Sequence, residues 1–187
     1  MTELWDLYNG ERKKTGATLL RGTPIPKGQY HLVVSVWIMN SKGQYLLSQR
    51  HPDKPYPYFW ECTGGSVLAG EDSLNGALRE VQEELGIALD AGHGKLIYQT
   101  RRESTQDFYD VWLFHGDIDL EKIILQETEV VDVQWVDRDH LLDMYRNGKL
   151  HPLIDYIREI HAPLESALYF AGGHKENGHA GEHDRKI

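Results

Sequence analysis

The chain has a single cysteine, Cys62, in 187 residues, so no internal disulfide can form and the fold must be held by packing. No apolar run approaches the roughly 20 residues that cross a bilayer as a helix. The opening stretch MTELWDLYNGERKK has no apolar signal core. Cationic residues are the minority: 20 Lys and Arg stand against 29 Asp and Glu, for a net charge of -9. Without a broad basic footprint, a nucleic-acid polymer is not the expected partner, and any anionic substrate must be small and met by local cations. These absences lead us to expect a reduced, cytoplasmic protein that does not associate with membranes. A homodimer is compatible with the sequence. Internal repeats are absent as well.

A chain of this length typically buries roughly 70% of its unfolded surface, enough for one sizeable core. We expect a single domain over residues 1–170, with residues 1–29 as an N-terminal hairpin extension and residues 30–162 as the core. From residue 171 the composition becomes GGHKENGHAGEHDRKI, which predicts a flexible tail. Its His174, His179 and His183 lack compact metal-ligand spacing.

Residues 3–8 and 15–21 flank the turn signal Asn9-Gly10 and read as a hairpin. Residues 31–39, HLVVSVWIM, read as a buried strand paired with 45–49, which delivers Arg50 and His51 to its exit. HPDKPYPYFW reads as a loop of the kind that walls a pocket. Residues 95–101 and 108–115 read as a second hairpin, 120–126 as irregular or a short edge element, and VVDVQWV as a further strand. Asp137 is placed to cap a helix ending near Gly148, and residues 152–160 predict a second amphipathic helix. This mixture predicts α/β layers around a mixed central sheet.

Residues 65–87 read GSVLAGEDSLNGALREVQEELGI. At roughly 100° per residue, Leu74, Ala77, Leu78, Val81 and Leu85 share one helix face, while Glu80, Glu83 and Glu84 share another. Like charges at these spacings repel by about 0.2 to 0.5 kcal/mol per pair, a cost that a bound cation removes. Clustered carboxylates are hard oxygen donors suited to magnesium, with manganese as a substitute, and magnesium commonly shares its shell with substrate phosphates.

The spacing is Gly65, five residues, Glu71, seven residues, Arg79-Glu80-Val81, one residue, Glu83-Glu84, one residue, Gly86-Ile87. Average composition produces such a pattern in about one window in a billion. It resembles the complete Nudix box. That resemblance implies an α/β/α sandwich with a mixed central sheet, and hydrolysis of the diphosphate (pyrophosphate) bond in a nucleoside diphosphate-linked or other small diphosphate metabolite, using Mg2+. It implies Glu80, Glu83 and Glu84 as catalytic metal ligands, with the Gly64 carbonyl as a further one and Glu80 as the leading candidate for general base. Arg79 would hold the acidic face, for instance through Glu83, and Gly65, Glu71 and Gly86 would be structural. Glu127 or Glu129, ahead of a strand, is a candidate additional acid; a solvated edge charge is the competing reading for each.

Arg50, Arg101 and Arg102 are candidates to pair with substrate phosphates. Trp60, with Tyr56, Tyr58 and Phe59, is a candidate to stack a base, against the competing reading of loop packing. The N-terminal segment is also similar to the isopentenyl-diphosphate isomerase branch of the superfamily. That activity relies on a cysteine where this chain has Gly64, so isomerisation is an alternative and a non-catalytic nucleotide-binding module is another. The box speaks for hydrolysis; the moiety beyond the diphosphate is chosen by loops.

Overall fold

A computed structural model describes residues 3–157. The organising strand is β3, Gln29–Met39, whose run of β-branched and aromatic residues favours an extended backbone. It pairs in parallel with β8, Asp107–His115, from His31↔Asp107 to Met39↔His115. Its other edge is antiparallel to β6, Thr63–Ser66, over Val33↔Ser66 to Val36↔Thr63. Its ends meet β1 (Leu4–Asn9) and β4 (Tyr45–Arg50). β2 (Lys14–Leu20) extends the sheet beyond β1, β5 (Trp60–Glu61) and β9 (Val130–Val136) flank β4, and β7 (Lys95–Arg102) pairs with β8. The result is a nine-stranded mixed sheet.

Alternation along β3 sends side chains to two cores. Val34, Val36 and Ile38 face helix α1, Ser73–Leu85, and pack with Ala77, Val81 and Leu85. Trp37 and Met39 face the other way, toward Leu141 and Met144 of helix α2, Arg138–Arg146. Helices thus cover both faces of the sheet, the α/β/α layering expected from the sequence. Asp72 caps α1, accepting a hydrogen bond from the Asn75 N–H at 2.8 Å, and Gly86 ends it at φ 68°, a left-handed conformation that glycine adopts without strain. Asp137 caps α2 through the His140 N–H.

Two local expectations need correction. Trp60, the last residue of the stretch read as a loop, lies in strand β5, and residues 63–66, to which the sequence assigned no element, form a strand because β3 offers them a full ladder that outweighs the low strand propensity of two glycines. Residues 152–160 were expected as one helix, but Pro152–Ile154 form a single 3-10 turn capped by His151. Residues 155 and 156 form a turn before Ile157, and residues 158–160, like the proposed tail at 171–187, lie outside the described residues.

The hairpin β1–β2 is tied to the body at a buried charge. Asp110 of β8 is fully buried and is bonded by Arg12 from the hairpin turn, by Ser73 Oγ at the start of α1, and by Gln99 Nε2 at 3.0 Å. A buried carboxylate deprived of its cation is strongly destabilising. Arg12→Ala is therefore expected to cost about 3 kcal/mol of unfolding free energy in urea titrations, and a loss below about 1 kcal/mol would show that Ser73 and Gln99 suffice.

Candidate active site

The acidic face of α1 lies over β6, and the two glycines there permit the approach. A Cβ on Gly65 would fall 2.4 Å from Glu80 Oε1, and one on Gly64 would fall 2.3 Å from the Val34 carbonyl oxygen. Between α1, β6 and the segment before β9 is a small cleft of about 100 Å³, lined by Glu80, Glu83, Glu84, Gln126 and Glu129. Arg79 organises its wall. Its guanidinium donates to Glu71 at 2.9 and 3.1 Å, to Glu80 at 3.0 Å, to Glu83 at 2.9 Å and to the Ser66 carbonyl at 3.0 Å. Glu71 also accepts from the Leu68 N–H at 3.0 Å, so it braces the loop into α1.

Glu84 is the most enclosed acid of the cleft at 6% exposure. Its cationic neighbour is Lys54, with Nζ at 3.7 Å and bonded also to Glu129. Burial pushes the Glu84 carboxyl up to about 8, against the opposing pull of Lys54. Burial likewise raises Glu80 and Glu61 above the ordinary carboxyl range, opposed by Arg79 and Arg50 respectively.

The donor set converging on this cleft consists of oxygens, which suits a hard divalent cation. Among the described residues, no three His, Cys, Asp or Glu side chains stand in a ready metal-binding group. The carboxylates turn instead to Arg79 and Lys54. An enclosed acid with a raised pKa and a single distant cation is still a site that a metal would relieve. By that test Glu80, Glu84 and Glu129, with Glu83 at the mouth, fit a divalent ion.

A second cavity of about 500 Å³ opens beside the cleft and shares Arg21, Lys54 and residues 64–66 with it. Arg50 and Arg102 line this cavity. Arg50 is paired with Glu61 at 2.6 Å, and Arg102 is held by both oxygens of Asp107 at 2.7 and 2.8 Å and lies over the Tyr109 ring. Arg101 does not join them. It faces outward, donating to the Gly10 carbonyl and pairing with Glu103. Trp60 lies in β5, packed against the core on the α2 side, and lines neither cavity. Glu127 is exposed in a turn, two residues from Glu129, and also lines neither.

Sequence reasoning missed Lys54, Arg21, His31 and His151. Burial lowers both histidines to about 4, so they line the cavity as neutral rings. Lys54 was visible only as the cation of the aromatic loop, and no local pattern marks Arg21. Cys62 is buried against the Tyr156 hydroxyl, and burial pushes its thiol up to about 12, which leaves it unsuited to the proton transfers an isomerase requires.

With this geometry in view, comparison with known proteins places the chain. The family model of the NUDIX domain matches residues 29–156. The chain belongs to the Nudix family. An uncharacterized Nudix hydrolase of Listeria monocytogenes is 39% identical over 152 residues, covering 80% of this chain and 89% of that protein. Nudix hydrolase 3 of Arabidopsis thaliana is 34% identical over 182 residues, covering 84% of this chain but 23% of that longer protein. A crystal structure from Deinococcus radiodurans superposes with a TM-score of 0.69 at 26% identity, covering 84% of this chain and 99% of that one. The chain is a Nudix hydrolase, and no helix among its described residues is long and apolar enough to cross a membrane.

The burial of Glu84 has a consequence for this Nudix hydrolase. In metal-free solution its folded pKa of about 8 lies above the ordinary value of 4.5, so the folded state holds a proton that the unfolded chain releases. Stability is then fullest below 4.5 and declines as pH rises toward 8. Glu84→Gln removes that decline. In metal-free urea titrations the variant is expected to exceed wild type by about 3 kcal/mol at pH 7, with the gap closing toward pH 4.5. A gap that does not change with pH would overturn this assignment.

Proposed function

We propose that this Nudix hydrolase cleaves the diphosphate bond of a small metabolite, in a nucleoside diphosphate-linked or other small diphosphate substrate, with Mg2+ as cofactor. The observation that carries the reading is the junction of an acidic cleft with a cation-lined cavity across residues 64–66. A diphosphate is a group that needs both: a metal-binding carboxylate set at the reacting phosphorus, and fixed cations for the remaining phosphate charge.

Bound magnesium would shield the diphosphate charge and lower the pKa of the attacking water. The residues that would hold it are Glu80, Glu83, Glu84 and Glu129, with the Gly64 carbonyl as a further oxygen. Arg79 keeps Glu80 and Glu83 in place. A cleft carboxylate takes the proton of the attacking water, with Glu80 as our leading choice. The new P–O bond forms from water, the bridging P–O bond breaks, and the departing phosphate carries away the bridging oxygen. We assign to Arg50 and Arg102, each held by a carboxylate on the cavity wall, the pairing with phosphate oxygens. The structure gives Arg101, Trp60 and Glu127 no comparable position, so we do not extend these roles to them.

A panel of nucleoside di- and triphosphates, ADP-ribose, nucleotide sugars and prenyl diphosphates, assayed with magnesium or manganese, tests the reading. Turnover of at least one compound is expected, and Glu84→Gln should reduce it by about a hundredfold or more. Absence of turnover across the panel, or full activity in the variant, would sink the proposal. Running isopentenyl diphosphate in the same panel, with detection of its dimethylallyl isomer, decides the isomerase alternative.

A further inference from the structure

His151 stands where two segments distant in the chain meet. Its backbone N–H donates to the Trp60 carbonyl at 2.8 Å, and Leu150 before it bridges to Trp60 of β5. The ring is pinned as well. Nδ1 accepts a hydrogen bond from the Leu153 N–H at 3.1 Å, capping the turn Pro152–Ile154, and the Tyr56 ring rests edge-on against it at 4.8 Å. His151 is 6% exposed, and it lines the larger cavity.

A neutral imidazole carries its one proton on the nitrogen that is not accepting a hydrogen bond. Nδ1 accepts, so the proton is on Nε2. Burial, with the fields of Arg50, Lys54 and Arg102, lowers His151 to about 4, and the ring is neutral at physiological pH. Among the described residues Leu153 is the hydrogen-bond partner of the ring, which leaves the Nε2–H unused. His31, the other histidine of the cavity, differs: its Nδ1 is buried without a partner and sets no tautomer.

The three cations whose fields reach His151 offer a ligand donors and no acceptor. Asp107, a carboxylate on the same cavity wall, has both oxygens taken by Arg102. A ligand atom held here must therefore accept hydrogen bonds, and an acceptor that suits three cations is an anionic oxygen. We propose that His151 is a further substrate-contacting residue, its Nε2–H donating to a phosphate oxygen of the substrate in the larger cavity; the proposal rests on the diphosphate reading above. The Leu153 N–H acts as its positioning partner, because occupying Nδ1 selects the tautomer that donates. A neutral donor adds direction to the binding of a phosphate without adding a further charge to a cavity that already holds four cations.

The two ring nitrogens are tested apart by two substitutions. In His151→Asn the side-chain carbonyl takes over the cap from Nδ1, since Asn is a favoured N-cap, but no atom reaches the place of Nε2. In His151→Gln the longer side chain carries its amide N–H toward the place of Nε2 and gives up the cap. The probe is methylenediphosphonate, a diphosphate whose bridge cannot be hydrolysed, titrated calorimetrically in magnesium buffer. Wild type is expected to bind it. His151→Asn should melt close to wild type and bind the probe about tenfold or more weakly. His151→Gln should melt about 2–4 °C lower and bind more tightly than the asparagine variant. Proton–nitrogen correlation spectra, with His151 assigned by the signals missing from His151→Asn, should show Nε2 protonated and no titration near neutral pH. The proposal is overturned if wild type does not bind the probe, if His151→Asn binds it normally, if the glutamine variant binds more weakly than the asparagine variant, or if the proton is on Nδ1. Each of those results leaves the diphosphate reading to be decided by the turnover panel and Glu84→Gln, so the two fail separately.

Discussion

Helix α1 must bury an apolar face against the sheet and, at the adjoining residue, carry a carboxylate into a closed cleft. Leu85 is 1% exposed in the core and Glu84 is 6% exposed beside it. The helix can hold both because its C-terminal end is stitched to the segment that leads into β9. The Ile124 N–H donates to the Leu85 carbonyl at 3.1 Å, and the Gln126 N–H donates to the Glu84 carbonyl at 2.9 Å. These bonds satisfy carbonyls that a helix end leaves without intrahelical partners. They also bring Gln126 and Glu129 to the cleft. Gly86 belongs to the same arrangement, because a Cβ there would fall 2.9 Å from Ile124. The acidic site is thus a by-product of how the helix is terminated.

The parts of this arrangement that were legible in the sequence are those governed by local period. Leu74, Ala77, Leu78, Val81 and Leu85 announce the helix and its buried face, and the strand runs announce the sheet. Strand β6 was not legible, since Thr63–Ser66 has two glycines and becomes a strand through pairing with a partner some thirty residues away. The two arginines ending β7 show where a local rule was available and unused. Neighbouring residues of a strand face opposite sides, so of Arg101 and Arg102 only one could reach the cavity. Arg102 does, while Arg101 lies over the Tyr30 ring on the outer side. Lys54, His151 and Arg21 reach the site through contacts between segments far apart in the chain, which no window of sequence displays.

The N-terminal hairpin lies ahead of residues 29–156 that the family model matches, yet it is built into the site. The Ala69 N–H donates to the Leu4 carbonyl at 2.7 Å, and the Gly70 N–H donates to Asp6 at 2.9 Å. The hairpin therefore grips the loop that enters α1. Arg12 reaches Asp110, which also holds Ser73 at the first turn of the same helix. Glu3 and Arg21, paired with each other, complete the cleft wall. An element outside the common family core thus sets the position of the helix that carries the acids.

The four cations of the larger cavity resolve an apparent conflict between a chain of net charge -9 and the anionic substrate proposed for it. Each is already paired with a carboxylate: Arg50 with Glu61, Arg102 with Asp107, Arg21 with Glu3, and Lys54 with Glu129. For the enclosed Arg50 and Arg102 the side-chain entropy is therefore largely lost on folding, before any ligand arrives. Arg102 is the most constrained, gripped by two oxygens of a buried aspartate and lying 3.9 Å from the centre of the Tyr109 ring. A cation so fixed cannot leave its carboxylate to follow a ligand, so it contributes orientation and a local field at a set point. Selectivity for the shape of an anion follows from such fixed points, and a surface of mobile lysines would provide attraction without it.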